Sequence, residues 1–302
     1  MAQSSLQAVE DFAGTDVEHS SNRLDWRRIP LGAWITIAIP VVVLLLAILA
    51  PLVARYDPTA ISLNDRLLPP HLFGAGPRHI LGTDSLGRDL FSRVLYGARV
   101  SMTVGIGAVG FACLLGTSIA LIAGYFGGWL DNVLMTIADI QLALPTVLLA
   151  IGVIVVLGPS VVNLILVIGI SGWVTYARVV RSLVRKWKQE EFITAARALG
   201  ASHTRIVFRH ILPNCVPTII VLATLDLPIA IIIEATLSFL GLGVQPPTPS
   251  WGNIIADGRL YLVTAPWIAL VPCLALILLT ASISHVGDRL REILDPTLSN
   301  RR

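Results

Sequence analysis

The chain has 302 residues, of which 55% are hydrophobic and only 14% charged, with a mean hydropathy of +0.77. That composition excludes a soluble globular domain of this size and puts the chain among integral membrane proteins. A formal charge of +3 is too small to mark a nucleic-acid binder. Cys113, Cys215 and Cys273 are scattered through apolar segments and offer neither a disulfide framework nor a metal-ligand spacing.

Residues 1–30 are polar, acidic at Glu10, Asp11, Asp16 and Glu18 and then basic at Arg23, Arg27 and Arg28, and read as a tail without a packed core. The apolar run 31–54 is long enough to cross a hydrocarbon core of ~30 Å and too long for a cleaved signal segment, so it is expected to be a first span. Residues 55–98 return to mixed polarity and read as an external loop. Within it Gly82 to Arg99 is expected to form an amphipathic helix lying in the interface, with Thr83 and Asp84 as caps, a stop at Gly97, and Leu86, Leu90, Val94 and Leu95 along one side.

Residues 99–288 form the expected core, with five further spans at Val100–Tyr125, Val133–Leu157, Val161–Val180, Cys215–Leu240 and Ala265–His285, followed by a tail at 289–302. The fold class is therefore all-α, an integral membrane protein with six transmembrane helices. In the second span Ala108, Ala112, Gly116, Ala120 and Gly124 recur every four residues. Such a stripe lets a second helix backbone approach closely and predicts a packing seam.

Between the fourth and fifth spans lies the run Gln189 to Asn214, the one long polar stretch in the second half of the chain. Phe192, Ala195, Ala196 and Leu199 fall on one helical face while Glu190, Glu191, Thr194 and Arg197 fall elsewhere. Gly200 is placed to end that helix, and Ser202 to cap a second one that carries Ile206, Val207 and Ile211 towards Pro213. A helix, a glycine corner and a helix, suspended between spans, describe either a docking knob or a helix lying on anionic lipid.

Lys and Arg gather in cytoplasmic segments. The N-terminal tail, the 189–214 run with its approach (Arg178, Arg181, Arg185, Lys186, Lys188, Arg197, Arg205, Arg209) and the C-terminal tail (Arg289, Arg291, Arg301, Arg302) all fall on one side of a six-span chain. Both termini and the knob are thereby expected in the cytoplasm. Six arginines in the 55–99 region soften the contrast.

Ala195-Ala196, Gly200 and Ile211-Leu212-Pro213 together resemble the EAA loop of ABC importer permeases, with Thr194 where that pattern has Glu and His210 where it has Ile. ILGTDSLGRDLFSRVLYGAR at Ile80–Arg99 and EATLSFLGLGVQPPTPSWG at Glu234–Gly252 narrow the resemblance to the C-type permease subunit of dipeptide and oligopeptide importers. The resemblance implies a type I importer permease fold in the bacterial cytoplasmic membrane. It also implies a second permease subunit, two ATP-binding subunits carrying ATP and Mg2+, and an extracytoplasmic solute-binding protein as partners. Short peptides are the implied cargo, with nickel complexes and haem as cargoes of related systems left open. Glu191, Phe192, Ala195, Ala196, Arg197, Leu199 and Gly200 would dock the ATPase, and Gln245, Pro246, Pro247 and Trp251 would face the binding protein. No GxxxxGK[ST] phosphate loop occurs, so the chain has no ATPase site of that kind and is expected to be no enzyme itself.

Asp139, Asp226 and Glu234 lie inside apolar spans, where an ionised side chain is costly and tends to face a cavity or a partner. They are the candidate path-lining residues, or else acids satisfied locally at the kinks expected near Pro145 and Pro228. His203 and His210 lack a third ligand nearby, which favours surface or packing roles over a metal. A rival class, an ion-coupled secondary transporter, would use the same three acids as ion sites and leave the knob without a task. An intramembrane hydrolase would need a nucleophile and base, or a metal motif, that the sequence does not display.

Overall fold

The computed structural model describes residues 31–71 and 79–294, with no side-chain account of 31–35 or 294. The expected N-terminal tail and the end of the C-terminal tail lie outside the described residues. Two compact units are distinguished, 1–35 and 36–302, and the architecture below is that of the second.

Helix α1, Leu31–Ile48, is followed by a separate short turn, Ala50–Val53, so the apolar run expected as one span to Ala54 breaks at Leu49. The next long helix does not begin at Gly82. Thr83 and Asp84 are engaged elsewhere, and α2 runs without interruption over Leu90–Phe126, capped by Asp89, whose side chain accepts from the Ser92 backbone N–H. Gly97 does not end it. The predicted interfacial helix is instead a loop plus the first turns of a 37-residue helix.

The expected third span is two helices, α3 (Gly128–Leu142) and α4 (Thr146–Leu157), which meet at 91°. Pro145 has no N–H to donate and disfavours helix in Leu144, so the chain turns there instead of merely bending. α5 covers Val161–Lys188, eight residues beyond the expected end of its span, with Ser160 as N-cap. A short helix, α6 (Glu191–Ala198), then leads into α7, which runs from His203 to Phe239. α7 includes a π-helical turn at Ile206–Ile211 and carries Pro217 and Pro228 without interruption. α8 (Trp251–Gly258) opens on a capping box between Ser250 and Asn253, and α9 covers Trp267–Leu294.

Four described helices, α2, α5, α7 and α9, are long and apolar enough to cross a membrane, and the α3–α4 pair makes five if it counts as one broken span. Thr36–Ile48 is a shorter apolar helix. Their outward faces carry Leu114, Val156 and Ile140, all largely exposed. An apolar surface of that kind suits hydrocarbon and not water.

The small-residue stripe is the main seam. Ala108, Ala112, Gly116, Ala120 and Gly124 are all buried, and they lie against α5. A Cβ at Gly116 would stand 2.3 Å from the Trp173 carbonyl oxygen and 2.6 Å from the Tyr176 Cβ. The stripe is thus required by close backbone approach, and α5 answers with its own Gly172, whose added Cβ would meet the Ala112 Cβ at 3.4 Å.

α2, α5, α7 and α9 leave two ends that differ in character. At one, Phe126 and Lys188 adjoin α6; at the other, the 79–89 loop adjoins α8. α7 alone separates the two ends by roughly 55 Å at ~1.5 Å per residue.

Candidate functional site

α6 is a raised platform with one anchor. Ile193 is fully buried in an apolar cluster with Tyr125, Val184, Ile206 and Ile211, whereas Phe192, Ala195 and Leu199 face outward, Leu199 at 88% exposure. Glu191, Arg197 and Gly200 are exposed as well, and Ala196 is half-buried. Gly200 sits at φ +81°. Its N–H bonds the Arg197 carbonyl at 3.0 Å and the Ala201 N–H bonds the Ala196 carbonyl at 3.0 Å. This paired closure is the left-handed helix stop that glycine adopts without steric penalty. Ser202 caps the following turn by accepting from the Arg205 N–H. The first helix and its glycine corner are present as expected, but the second helix does not end at Pro213: it continues unbroken into the span expected from Cys215 as the single helix α7. Ile193 is the anchor that the sequence reading missed; its signal is the one apolar residue on the inward face.

The platform is tied to the spans at its base. The Tyr125 hydroxyl lies 2.7 Å from His203 Nδ1, and Lys188 Nζ donates to the Tyr125 carbonyl at 2.6 Å. His203 therefore has a packing and hydrogen-bonding role.

The acids divide. Asp139 pairs with Arg178 on α5, both partly exposed. Asp131, which the sequence reading did not single out, is buried and held by Arg181 and Arg185. Both pairs pin α3 to α5. Gln141 adds a third link, donating to the Ile170 carbonyl at 2.7 Å and accepting from the Trp173 indole at 2.6 Å. Glu234 is fully buried, with the Ser101 hydroxyl donating to it at 2.6 Å and the Ser238 hydroxyl at 2.7 Å. It joins α7 to α2, and its partner lies 133 positions away in sequence.

Asp226 is different. It lines a cavity of about 310 Å³ at the α3–α4 break, with Leu142 and Thr146 from the break, Ser171 and Thr175 from α5, and Ala108 and Ile233 among the apolar walls. The Tyr176 hydroxyl, fully buried, lies beside it outside the geometry of a well-formed hydrogen bond.

At the far end the two remaining sequence motifs meet. Asp84, fully buried, receives Arg88 Nε at 2.6 Å and pairs with Arg93; both arginines also reach Asp257 Oδ2 at 3.2 Å. His79 Nδ1 lies 2.9 Å from the cap residue Asp89. The Trp251 indole, buried over Gly97, donates to the Val94 carbonyl at 3.0 Å. This clamp supports a groove of about 570 Å³ lined by Gln245, Pro246, Asp257 and Tyr261. Trp251 is thereby part of the support and not of the exposed lip. Among the described residues no group of three or more His, Cys, Asp or Glu is placed to hold a metal.

The described helices thus form a membrane scaffold with an outward platform at one end, a 91° helix break beside a cavity, and a grooved clamp at the other end. The sequence pattern of the family described as binding-protein-dependent transport system inner membrane component matches residues 116–300, and the chain belongs to that family. It is similar to the dipeptide transport system permease protein DppC of Alkalihalophilus pseudofirmus, 43% identical over 257 residues that cover 85% of this chain and 83% of that protein. The glutathione transport system permease protein GsiD of Escherichia coli is 42% identical over 275 residues, covering 90% of this chain and 89% of that one. In fold it resembles a chain of the MetNI methionine ABC transporter in an inward-facing conformation, with a TM-score of 0.52 at 19% identity over 67% of this chain and 96% of that chain.

Proposed function

We propose that this chain is one permease subunit of an ATP-driven importer of short peptides, working with a second permease, two ATP-binding subunits and an extracytoplasmic solute-binding protein. The observation that carries the reading is the platform. Phe192, Ala195 and Leu199 stand outward on a short helix whose only buried side chain is Ile193, a shape suited to a groove on another protein. Glu191, Arg197 and Gly200 border that face, and Ala196 lies beside it. ATP and Mg2+ belong to the partner subunits, whose closure would push the platform and tilt the spans through Tyr125, Lys188 and His203. The peptide cargo is supported by the names of the relatives.

In this reading there are six spans, with α1 as the first and α3–α4 as a broken third. In it the platform and both termini lie in the cytoplasm, which the cluster of bases from Arg178 to Arg209 supports. The groove that contains Gln245 and Pro246, with Pro247 adjoining, then faces the binding protein. Asp226 lines the path, while Asp139 and Glu234 hold helices together.

Co-purification tests the reading. The chain expressed with its permease partner and ATPase should retain the ATPase, and Leu199→Asp should lower retention at least about tenfold by burying an unpaired charge in the contact. Undiminished retention in Leu199→Asp would refute docking through this face.

A further inference from the structure

We propose that Asp226 is a cation site in the transport path, receiving the protonated amino end of the cargo as it passes the α3–α4 break. The proposal rests on the peptide-importer reading above and specifies which end of the cargo this subunit recognises.

The other acids of α3 and α7 are already engaged. Asp131 is held by Arg181 and Arg185, Asp139 by Arg178, and Glu234 by two serine hydroxyls. Among the described residues Asp226 has no cation at ion-pair distance; its polar neighbour is the Tyr176 hydroxyl, which carries no positive charge. An ionised carboxylate within a span needs a counter-charge or a polar cavity. Asp226 has the cavity, and the cavity is of a size that holds a small ligand.

Its position is suited to passage. Asp226 lies roughly 20 Å from the clamp end of α7 and roughly 35 Å from the platform end at ~1.5 Å per residue. The walls are alkyl groups such as Ala108 and Ile233, with Thr146, Ser171 and Thr175 as hydroxyls. One carboxylate in such a chamber attracts an ammonium group and repels a carboxylate, so a molecule bearing both would pass with its amine turned to α7. A peptide has that polarity. The alkyl walls hold side chains of any shape loosely, which suits a carrier that accepts many sequences.

The test uses the complete complex in proteoliposomes, with its binding protein, and two probes: a dipeptide with a free amine and its N-formyl analogue. The quantity read is the ratio of their uptake rates. The same binding protein delivers both probes to wild type and variant, so its own preference cancels when the ratios are compared. Asp226→Asn should reduce the preference for the free amine by at least about tenfold, the worth of one hydrogen bond to a charged group, and Asp226→Glu should keep it. An unchanged ratio in Asp226→Asn overturns the proposal. So does loss of the preference in Asp226→Glu as well, which would mean packing, or loss of the second permease from the Asp226→Asn complex, which would assign the carboxylate to a cation of that subunit. A wild-type complex that takes up neither probe refutes the importer reading itself, and the cation site falls with it.

Discussion

Gly116→Ala is the sharpest probe of how the spans are assembled, because the structure supplies its own control. An added methyl at Gly116 would stand 2.3 Å from the Trp173 carbonyl oxygen and 2.6 Å from the Tyr176 Cβ, and the first of these is backbone. Ordinary contact begins near ~3.5 Å, so α2 and α5 must separate by about 1 Å locally. Overpacking of that kind costs about 1–3 kcal/mol. Replacing a helical glycine by alanine returns about 0.5–1 kcal/mol of backbone entropy, which leaves a net loss of up to about 2.5 kcal/mol. Gly110, six positions earlier on the same helix, has nothing within 4 Å of its added Cβ. Gly110→Ala should therefore keep the entropy gain without the clash, and the two variants should differ by the overpacking cost, about 1–3 kcal/mol. The assay is the thermal midpoint of the purified complex in detergent, in which Gly116→Ala should melt several degrees below Gly110→Ala. Equal midpoints would mean that α2 and α5 are not in backbone contact.

The clamp makes two further predictions. Trp251→Ala empties a buried site over Gly97 and should cost about 3–5 kcal/mol, read as a lowered midpoint, while leaving ATPase retention per assembled complex unchanged. Asp84→Asn leaves Arg88 and Arg93, both buried, with only the half-exposed Asp257 as counter-charge, and should destabilise by about 3–5 kcal/mol. Replacing the exposed Asp57, bonded only to its neighbour Thr59, should change the midpoint by no more than about 0.5 kcal/mol equivalent, as expected of a surface site.

Features governed by short-range pattern were legible in the sequence. The four-residue spacing of small side chains gave the α2–α5 seam, and Gly200 followed by Ser202 gave the platform's corner, because a helix stop and a cap depend on neighbours within a turn. Features governed by distant partners were not. Thr83 and Asp84 look like caps, but the Thr83 hydroxyl donates to the Asp65 carbonyl at 2.5 Å and Asp84 holds two arginines, which leaves Asp89 to begin the helix. Gly97 looks like a stop but provides room for Trp251, which belongs to a motif far along the chain.

The acids show the same limit. Glu234 shares its apolar setting with Asp226, and only the fold reveals that Ser101 and Ser238 close around one while a cavity opens beside the other. The proline beside each acid also misled in one case. Pro145 breaks its span at 91°, yet α7 carries Pro228 as an unbroken helix.

The central claim is that one end of this molecule receives mechanical work from an ATPase. A photo-crosslinking residue placed at Leu199, and in a parallel sample at Val263, which is 97% exposed beyond the clamp, tests it in intact membranes. The account predicts that the Leu199 probe captures the ATP-binding subunit and the Val263 probe never does. Capture of lipid alone at Leu199, or capture of the ATPase at Val263, would contradict it.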